Sequence, residues 1–209
     1  MGEAFEVVRS SYDRLGTTYR DWSQDGSLRE TMLRKLLDQL EPASLVVDLG
    51  CGPGEPVTRL IADDHRAVGI DASRVQLKLA HIAAPTAMLV QADMTRCALR
   101  PTSVDAVASF YAIGHVAGRD HAPLFATVAD WLRPGGLFLT SAPVADEETY
   151  DPDWLGVPMF FGGIGEAATR EAIRQAGLLL EHWDTIREDE SDGRTVDFHW
   201  LIARKPYVA

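Results

Sequence analysis

The sequence predicts an α/β protein in which a parallel sheet has helices on both faces and one antiparallel strand. Short apolar segments alternate with helical stretches along most of the 209 residues, as in sheets built from strand–helix–strand units. Residues 178–187 and 196–202 flank an acidic segment with an Asp-Gly turn signal, which predicts a closing hairpin. Alternation followed by a hairpin therefore defines the fold class.

Five segments are predicted to form the buried parallel strands, because each is short, apolar and bounded by turn residues. They are residues 45–47, 67–70, 88–90, 104–109 and 137–140. In the closing hairpin, alternate side chains from Val196 to Ile202 face one side of the strand. The acidic residues 188–192 between its strands are expected to be a solvated tip.

Capping patterns mark the helices between these strands. Residues 27–30 and 73–76 each have a serine followed three residues later by Glu or Gln, which is a capping box. Asp120 is predicted to cap a later helix. A further helix over residues 166–176 is expected to end at Gly177 in a left-handed conformation.

Composition argues against several classes of function. The formal net charge is −11, which argues against general nucleic-acid binding and against docking on an anionic membrane. The sequence contains no apolar run of the roughly 18 residues that a membrane span needs. The two cysteines, Cys51 and Cys97, form no disulfide framework, so a reducing cytoplasm is the expected compartment.

The glycine-rich segment at residues 46–55 follows the first predicted strand. Gly50, Gly52 and Gly54 are spaced as G-x-G-x-G, whereas a dinucleotide fingerprint is G-x-G-x-x-G or G-x-G-x-x-A. Glu55 occupies the third position of that fingerprint and places negative charge at the helix start, where a pyrophosphate would bind. The segment therefore favours a ligand without a diphosphate.

Two carboxylates follow the next strands. Asp71 ends the second strand, 71 − 50 = 21 residues after Gly50, where a carboxylate can accept hydrogen bonds from both ribose hydroxyls. Asp93 follows the third strand and can accept from the exocyclic amine of adenine, while Met94 can cover the ring. Together these features predict binding of an adenosine with free ribose hydroxyls.

The ordered set of motifs resembles the class I S-adenosylmethionine-dependent methyltransferases. The motifs are VVDLGCGPG at 46–54, VGID at 68–71, AD at 92–93, VDAVAS at 104–109 and LRPGG at 132–136. The resemblance implies a Rossmann-like, doubly wound, seven-stranded sheet with strand order 3-2-1-4-5-7-6 and an antiparallel last pair. It also implies S-adenosylmethionine as the cofactor.

The resemblance implies specific cofactor contacts. The three glycines would adjoin the methionine part, Asp71 the ribose, and Asp93 with Met94 the adenine, while Asp48 would orient the loop. Cys51 near the helix start is interpreted mainly as a packing residue. The predicted cofactor-binding set is Tyr19, Asp48, Gly50, Cys51, Gly52, Gly54, Asp71, Ala72, Gln76, Asp93, Met94 and Phe110.

The segment after the fourth strand is expected to lie beside the transferred methyl. His115 is the candidate general base, since an unperturbed histidine has a pKa near ~6.5; the alternative is a histidine that bonds loop backbone. Tyr111 is predicted to be either an orienting hydroxyl or a core ring. The D/N-P-P-Y pattern is absent at 109–112, which argues against DNA as the substrate. No metal site is expected.

Two aromatic segments are candidates for covering the site. Tyr12, Tyr19 and Trp22 resemble the lid of relatives with a similar opening, or else form a helix face packed on the domain. The aromatic loop at residues 142–165 is expected to hold the acceptor, or else to form a small core that seals the 166–176 helix. The predicted domain spans 1–209, with a helical lid region at 1–41 and a Rossmann-like core at 42–209.

The predicted function is S-adenosylmethionine-dependent methyl transfer to an O or N atom of a small molecule. Two alternatives remain at this point: an NAD(P)-dependent oxidoreductase, which the glycine spacing and Glu55 oppose, and a non-catalytic S-adenosylmethionine-binding partner subunit. The chain is expected to be a monomer or a homodimer.

Overall fold

A computed structural model describes residues 2–23, 27–189 and 193–207. The helices within these ranges are α1 (Glu3–Leu15), α2 (Thr17–Trp22), α3 (Ser27–Leu37), α4 (Val57–Asp64), α5 (Arg74–Ala83), α6 (Gly118–Trp131) and α7 (Gly165–Gln175). The strands are β1 (Leu45–Leu49), β2 (Arg66–Asp71), β3 (Met88–Gln91), β4 (Val104–Ser109), β5 (Leu132–Pro143), β6 (Glu148–Trp154), β7 (Val157–Gly162), β8 (Leu179–Asp189) and β9 (Thr195–Arg204).

Seven strands form the main sheet, in the order β3-β2-β1-β4-β5-β9-β8. Strand β9 runs antiparallel to both of its neighbours, β5 and β8, and the other pairs are parallel. Strands β8 and β9 are the sixth and seventh strands of this sheet along the chain. The predicted order 3-2-1-4-5-7-6 and the closing hairpin are therefore confirmed.

Two hydrophobic clusters cover the two faces of the sheet. Val47 and Leu49 pack in a cluster with Phe125 of α6 and Ile173 of α7. Val46, the neighbour of Val47, packs in the other cluster, which contains side chains of α3, α4 and β9. Successive strand side chains point to opposite faces, so the apolar run of β1 supplies both cores. This is the arrangement of a central strand covered on both sides.

The predicted helix ends have mixed outcomes. Ser73 caps α5 by accepting a hydrogen bond from the Gln76 backbone N–H at 3.1 Å, and Gly177 follows α7 with φ of +75°. The prediction for Asp120 is wrong, because α6 begins at Gly118 and Asp120 lies in its first turn. A carboxylate in the first turn still interacts favourably with the positive end of the helix dipole. The side chain of Ser27, predicted as a cap, lies outside the described residues.

The segment predicted as a long loop, residues 142–165, contains the two-stranded hairpin β6–β7. Its turn passes through Leu155 and Gly156, both with positive φ. Trp154 and Met159 of the hairpin are buried in a third cluster, where they pack with α1 and α2. This small core therefore joins the hairpin to the N-terminal helices, rather than sealing α7.

The helices α1, α2 and α3 of the predicted lid region have different surroundings. Helices α1 and α2 pack with the β6–β7 hairpin, whereas Met32, Leu33 and Leu36 of α3 are buried against the sheet. Within the described part of the chain, no helix combines the length and apolar character needed to cross a bilayer.

Candidate active site

A cleft of about 380 Å³ lies at the carboxyl edge of the parallel strands; we name it the sheet-edge cleft. Ligands of open α/β sheets bind at this edge. Ten predicted site residues line it: Tyr19, Gly50, Gly52, Asp71, Ala72, Asp93, Met94, Phe110, Tyr111 and His115. The structure thus brings together most of the residues that the sequence analysis selected from five separate segments.

The backbone bend after β1 forms one wall of this cleft. Gly50 and Gly52 have φ of +79° and +53°, which side chains rarely adopt. A Cβ on Gly50 would overlap the Cβ of Ala112, so the bend and the segment after β4 approach closely. A Cβ on Gly54 would lie 2.9 Å from the Cα of Ala80 in α5. Gly54 therefore allows helix packing and does not line the sheet-edge cleft.

The Asp71 carboxylate holds the bend in place. Its Oδ2 accepts a hydrogen bond from the Gly52 N–H at 2.8 Å, and its Oδ1 accepts one from the Ser73 N–H at 2.7 Å. Desolvation by the surrounding protein raises the pKa of Asp71 to about 6, although part of the side chain faces the cleft. Each carboxylate oxygen has a second acceptor position, which suits a vicinal diol.

The Asp93 carboxylate and Met94 lie at the other end of the cleft. Thr95 donates two hydrogen bonds to the same oxygen, Oδ1 of Asp93, from its backbone N–H at 2.9 Å and its hydroxyl at 2.7 Å. The Oδ2 atom accepts no hydrogen bond from the described residues, which leaves it available to an amine donor. Met94 packs close to the bend at Gly50.

Asp48 and Cys51 lie behind the bend. Asp48 is buried and accepts a hydrogen bond from the Thr58 hydroxyl at 2.6 Å. Burial raises the pKa of Asp48 to about 7 and also raises the pKa of the Cys51 thiol. Low-pKa thiolates are the reactive ones, so the raised pKa fits the interpretation of Cys51 as a packing residue. Asp48 connects the end of β1 to α4.

Gln76 connects the N-terminal helices to α5 by hydrogen bonds. Its side-chain amide donates to the backbone carbonyls of Tyr12 at 3.2 Å and Gly16 at 3.0 Å. Asp13 accepts a hydrogen bond from the Ser73 hydroxyl at 2.7 Å. The Gln76 side chain therefore does not complete the capping box, and it reaches a cofactor only through the segment it holds. Asp13 was not among the predicted site residues.

His115 has hydrogen bonds at both ring nitrogens. Its Nδ1 lies 2.9 Å from the Phe160 carbonyl oxygen, which can only accept, so Nδ1 carries the proton in the neutral ring. The Nε2 atom then accepts from the Tyr12 hydroxyl at 2.8 Å. Desolvation lowers the pKa of His115 to about 4. His115 is therefore neutral near pH 7. Tyr12 was predicted as a lid residue and not as the partner of His115.

Tyr111 packs its ring among aromatic side chains and uses its hydroxyl for a carboxylate. Its hydroxyl donates to Glu188 Oε2, and its ring packs edge-on against Phe198 and Trp200. The other Glu188 oxygen accepts from the Trp200 indole N–H at 3.0 Å. The prediction of a solvated acidic tip is therefore wrong for Glu188, since two interior side chains need an acceptor. Residues 190–192 lie outside the described part of the chain.

A second cavity, of about 500 Å³, adjoins the first; we name it the distal cavity. Tyr12, Tyr19, Tyr111 and His115 line both cavities. Its wall is rich in aromatic side chains, and among these are Trp22, Trp154, Phe161 and Phe198. The two cavities together suit a nucleoside in one and a small acceptor in the other. No cluster of three metal-ligating side chains occurs in the described ranges.

The sheet order, the glycine bend and the two strand-end carboxylates define a Rossmann-like protein of the nucleoside-binding kind. Residues 46–136 match the family model described as a methyltransferase domain. This match, with the relatives and solved structures described next, supports a class I S-adenosylmethionine-dependent methyltransferase, as predicted.

Individual relatives agree with this family. A trans-aconitate 2-methyltransferase of Azoarcus sp. (strain BH72) is 35% identical over 106 residues, which cover 50% of this chain and 41% of that protein. The chain spans about two fifths of the length of this relative and of a second trans-aconitate 2-methyltransferase, from Paracidovorax citrulli.

Solved structures agree on the fold. The Burkholderia thailandensis 1,6-didemethyltoxoflavin-N1-methyltransferase, solved with S-adenosylhomocysteine, has a TM-score of 0.72 at 18% identity, covering 99% of this chain and 92% of that chain. The magnesium protoporphyrin IX methyltransferase from Synechocystis PCC 6803, also solved with S-adenosylhomocysteine, has a TM-score of 0.75 at 15% identity, covering 97% and 100%.

Proposed function

We propose that the protein transfers the methyl group of S-adenosylmethionine to an O or N atom of a small molecule. The observation that carries the proposal is the junction of the two cavities at Tyr111 and His115. A cofactor in the sheet-edge cleft and an acceptor in the distal cavity would meet there. A wall that two adjoining cavities share suits transfer between two bound molecules.

The residues of the sheet-edge cleft fit this cofactor. Asp71 retains acceptor positions for ribose hydroxyls, and Asp93 retains Oδ2 for the adenine amine. Gly50 and Gly52 expose backbone where the methionine part would lie. We propose that Tyr19 and Phe110 complete the contacts, with Ala72 and Met94 against the nucleoside. Asp48, Cys51, Gly54 and Gln76 would act indirectly, through the bend and the N-terminal helices.

When bound, the cofactor supplies an electrophilic methyl on a sulfonium; the acceptor lone pair forms the new bond as the carbon–sulfur bond breaks. The protein's part is to align the acceptor and to exclude water. The aromatic walls of the distal cavity suit both tasks. We propose that α1 and α2, within the lid region 1–41, close over the core at 42–209 and thereby complete the site.

The decisive experiment is a titration followed by product identification. S-Adenosylhomocysteine should bind in calorimetry, and NAD(P)H should not compete with it. Incubation with S-adenosylmethionine carrying a labelled methyl and a cell extract should then label a small molecule. Binding without labelled product would favour the non-catalytic partner subunit, and binding of NAD(P)H alone would favour the oxidoreductase. Trans-aconitate, named as the acceptor of two relatives, is the first pure compound to test.

We also propose where the protein acts, which acceptors it does not use and its oligomeric state. We place the activity in the cytoplasm, because both described cysteines are unpaired thiols. The net charge of −11 opposes nucleic acid as the acceptor. A monomer or a homodimer is the expected state.

Replacing His115 with alanine should lower turnover and leave affinity for S-adenosylhomocysteine nearly unchanged. The imidazole lies at the junction, bonded to Tyr12 and to the Phe160 carbonyl, so its loss would disorder the acceptor side first. His121→Ala is the matched control, since His121 is buried and bonds the Val116 carbonyl. Turnover and calorimetry measure the two effects. Full turnover of the His115→Ala enzyme would show that His115 has only a structural role.

A further inference from the structure

Arg29 is a buried cation on the wall of the distal cavity. Its side chain extends from α3, and the residue is 8% exposed. The neighbouring wall is mainly aromatic, and the Arg29 guanidinium carbon lies 5.7 Å from the ring centroid of Tyr111. The cavity's other charged residues are Glu147, Glu188, Asp189 and Arg194. Among the charged residues that line this cavity, Arg29 is a positive charge that is deeply buried.

The hydrogen bonds of Arg29 leave its charge without a carboxylate partner. One terminal nitrogen donates to the Ser23 carbonyl. The buried Nε has no hydrogen-bond partner within the described ranges, and no ion pair joins Arg29 to a described carboxylate. Glu188, the partly buried acid of the cavity, uses its two oxygens for Tyr111 and Trp200. Within the described ranges, Arg29 therefore has one hydrogen bond to a neutral carbonyl and an aromatic face. The buried carboxylate of Asp48 is near enough to interact with its charge, but it is hydrogen-bonded to Thr58 and not to Arg29.

A buried charge is unfavourable unless it is paired and hydrogen-bonded. A guanidinium offers parallel N–H donors whose geometry matches a carboxylate. A negatively charged ligand that enters the distal cavity would supply both the charge and the missing acceptor for Nε. The aromatic wall would contact the remainder of that ligand.

We propose that Arg29 binds a carboxylate of the acceptor, so that the acceptor is a small organic acid with an apolar or aromatic body. This inference rests on the proposed function, because it names the acceptor class of the same site. The alternative is that Arg29 has a structural role, in which it bonds the Ser23 carbonyl and holds α3 in position. The two roles predict different behaviour when the charge is removed.

The test is a comparison of acids with their primary amides on the enzyme loaded with S-adenosylhomocysteine. The probes are 3-phenylpropanoate, indole-3-acetate, octanoate and trans-aconitate, each beside the neutral amide of the same shape. At least one acid should bind about tenfold or more tightly than its amide, the range expected for a bond to a charged group. Arg29→Met should bring that ratio to about one, and Arg29→Lys should retain part of it.

The control is Arg133→Met, which removes the same charge. Arg133 pairs with Asp105 at the opposite edge of the sheet and is about half exposed, so the ratio of acid to amide binding should not change. If every acid fails to bind better than its amide, or if Arg29→Met keeps the preference, the inference is overturned. Failure of S-adenosylhomocysteine itself to bind would instead contradict the proposed function.

Thermal unfolding separates the ligand role from the structural role. Removing a buried unpaired charge should leave the midpoint of ligand-free Arg29→Met unchanged or higher, because the apolar stem is kept and an unfavourable charge is lost. A midpoint lower by more than about 5 °C would show that Arg29 stabilises the fold and would overturn the assignment.

Discussion

Replacing Asp71 with alanine is expected to weaken S-adenosylhomocysteine binding by about 1–3 kcal/mol, roughly 5–150-fold. The carboxylate is proposed to accept hydrogen bonds from the ribose, and it also holds the Gly52 and Ser73 N–H groups. Its removal would therefore take away ligand contacts and release the bend at the same time. Isothermal titration of the two proteins measures the difference directly.

The matched control is Asp105→Ala. Asp105 also accepts from a backbone N–H, that of Leu45 at 2.7 Å, and pairs with Arg133. It lies at the start of β4, at the edge of the sheet opposite to the cleft. Its loss should lower stability and leave cofactor affinity unchanged. Equal affinities for Asp71→Ala and the unaltered protein would remove Asp71 from the proposed site.

The same carboxylate predicts a pH dependence. Desolvation raises the pKa of Asp71 to about 6, so the folded protein binds this proton more readily than the unfolded chain. Its ionisation therefore lowers stability as pH rises from about 4 through 6. Ligand hydroxyls favour the ionised acceptor, so affinity should fall as pH falls below about 6. Titrations of Asp71→Asn should lack this dependence, and an identical profile for both proteins would contradict the assignment.

Local patterns in the sequence were sufficient to predict the parallel strands and the glycine bend, whereas the strand order was implied by the family resemblance. A buried parallel strand is a short apolar run, and β1 from Leu45 to Leu49 is such a run followed by Gly50. Carboxylates at strand ends can be placed in one site without knowing any distant contact, because parallel strands end at the same edge of the sheet. Asp71 and Asp93 therefore line one cleft, as the sequence analysis expected.

The contacts that the sequence analysis missed join residues far apart in the chain. Tyr12 and His115 are 103 positions apart, and Tyr111 and Glu188 are 77 apart. Tyrosine, histidine and glutamate side chains occur in many environments, so no local pattern indicates these partners. The hairpin β6–β7 was missed because its strands carry mixed residues and pack on α1, rather than on the main sheet.

Replacing Gly50 with alanine is expected to destabilise the fold by about 2–5 kcal/mol and to abolish measurable cofactor binding. A left-handed residue with a side chain costs about 1–2 kcal/mol, and Gly50 has φ of +79°. Overpacking adds about 1–3 kcal/mol, since the new methyl would overlap Ala112. Denaturant unfolding and calorimetry give the two quantities.

Gly177→Ala isolates the backbone contribution. Gly177 has φ of +75°, and a Cβ there would meet nothing within 4 Å. Gly177→Ala should therefore lower the free energy of unfolding only by the cost of a left-handed alanine. It should leave cofactor binding intact, because Gly177 follows α7 away from the cleft. The excess loss in Gly50→Ala measures how tightly the bend is held against the segment after β4. If both variants lose the same stability and both bind cofactor, close approach at Gly50 does not shape the site.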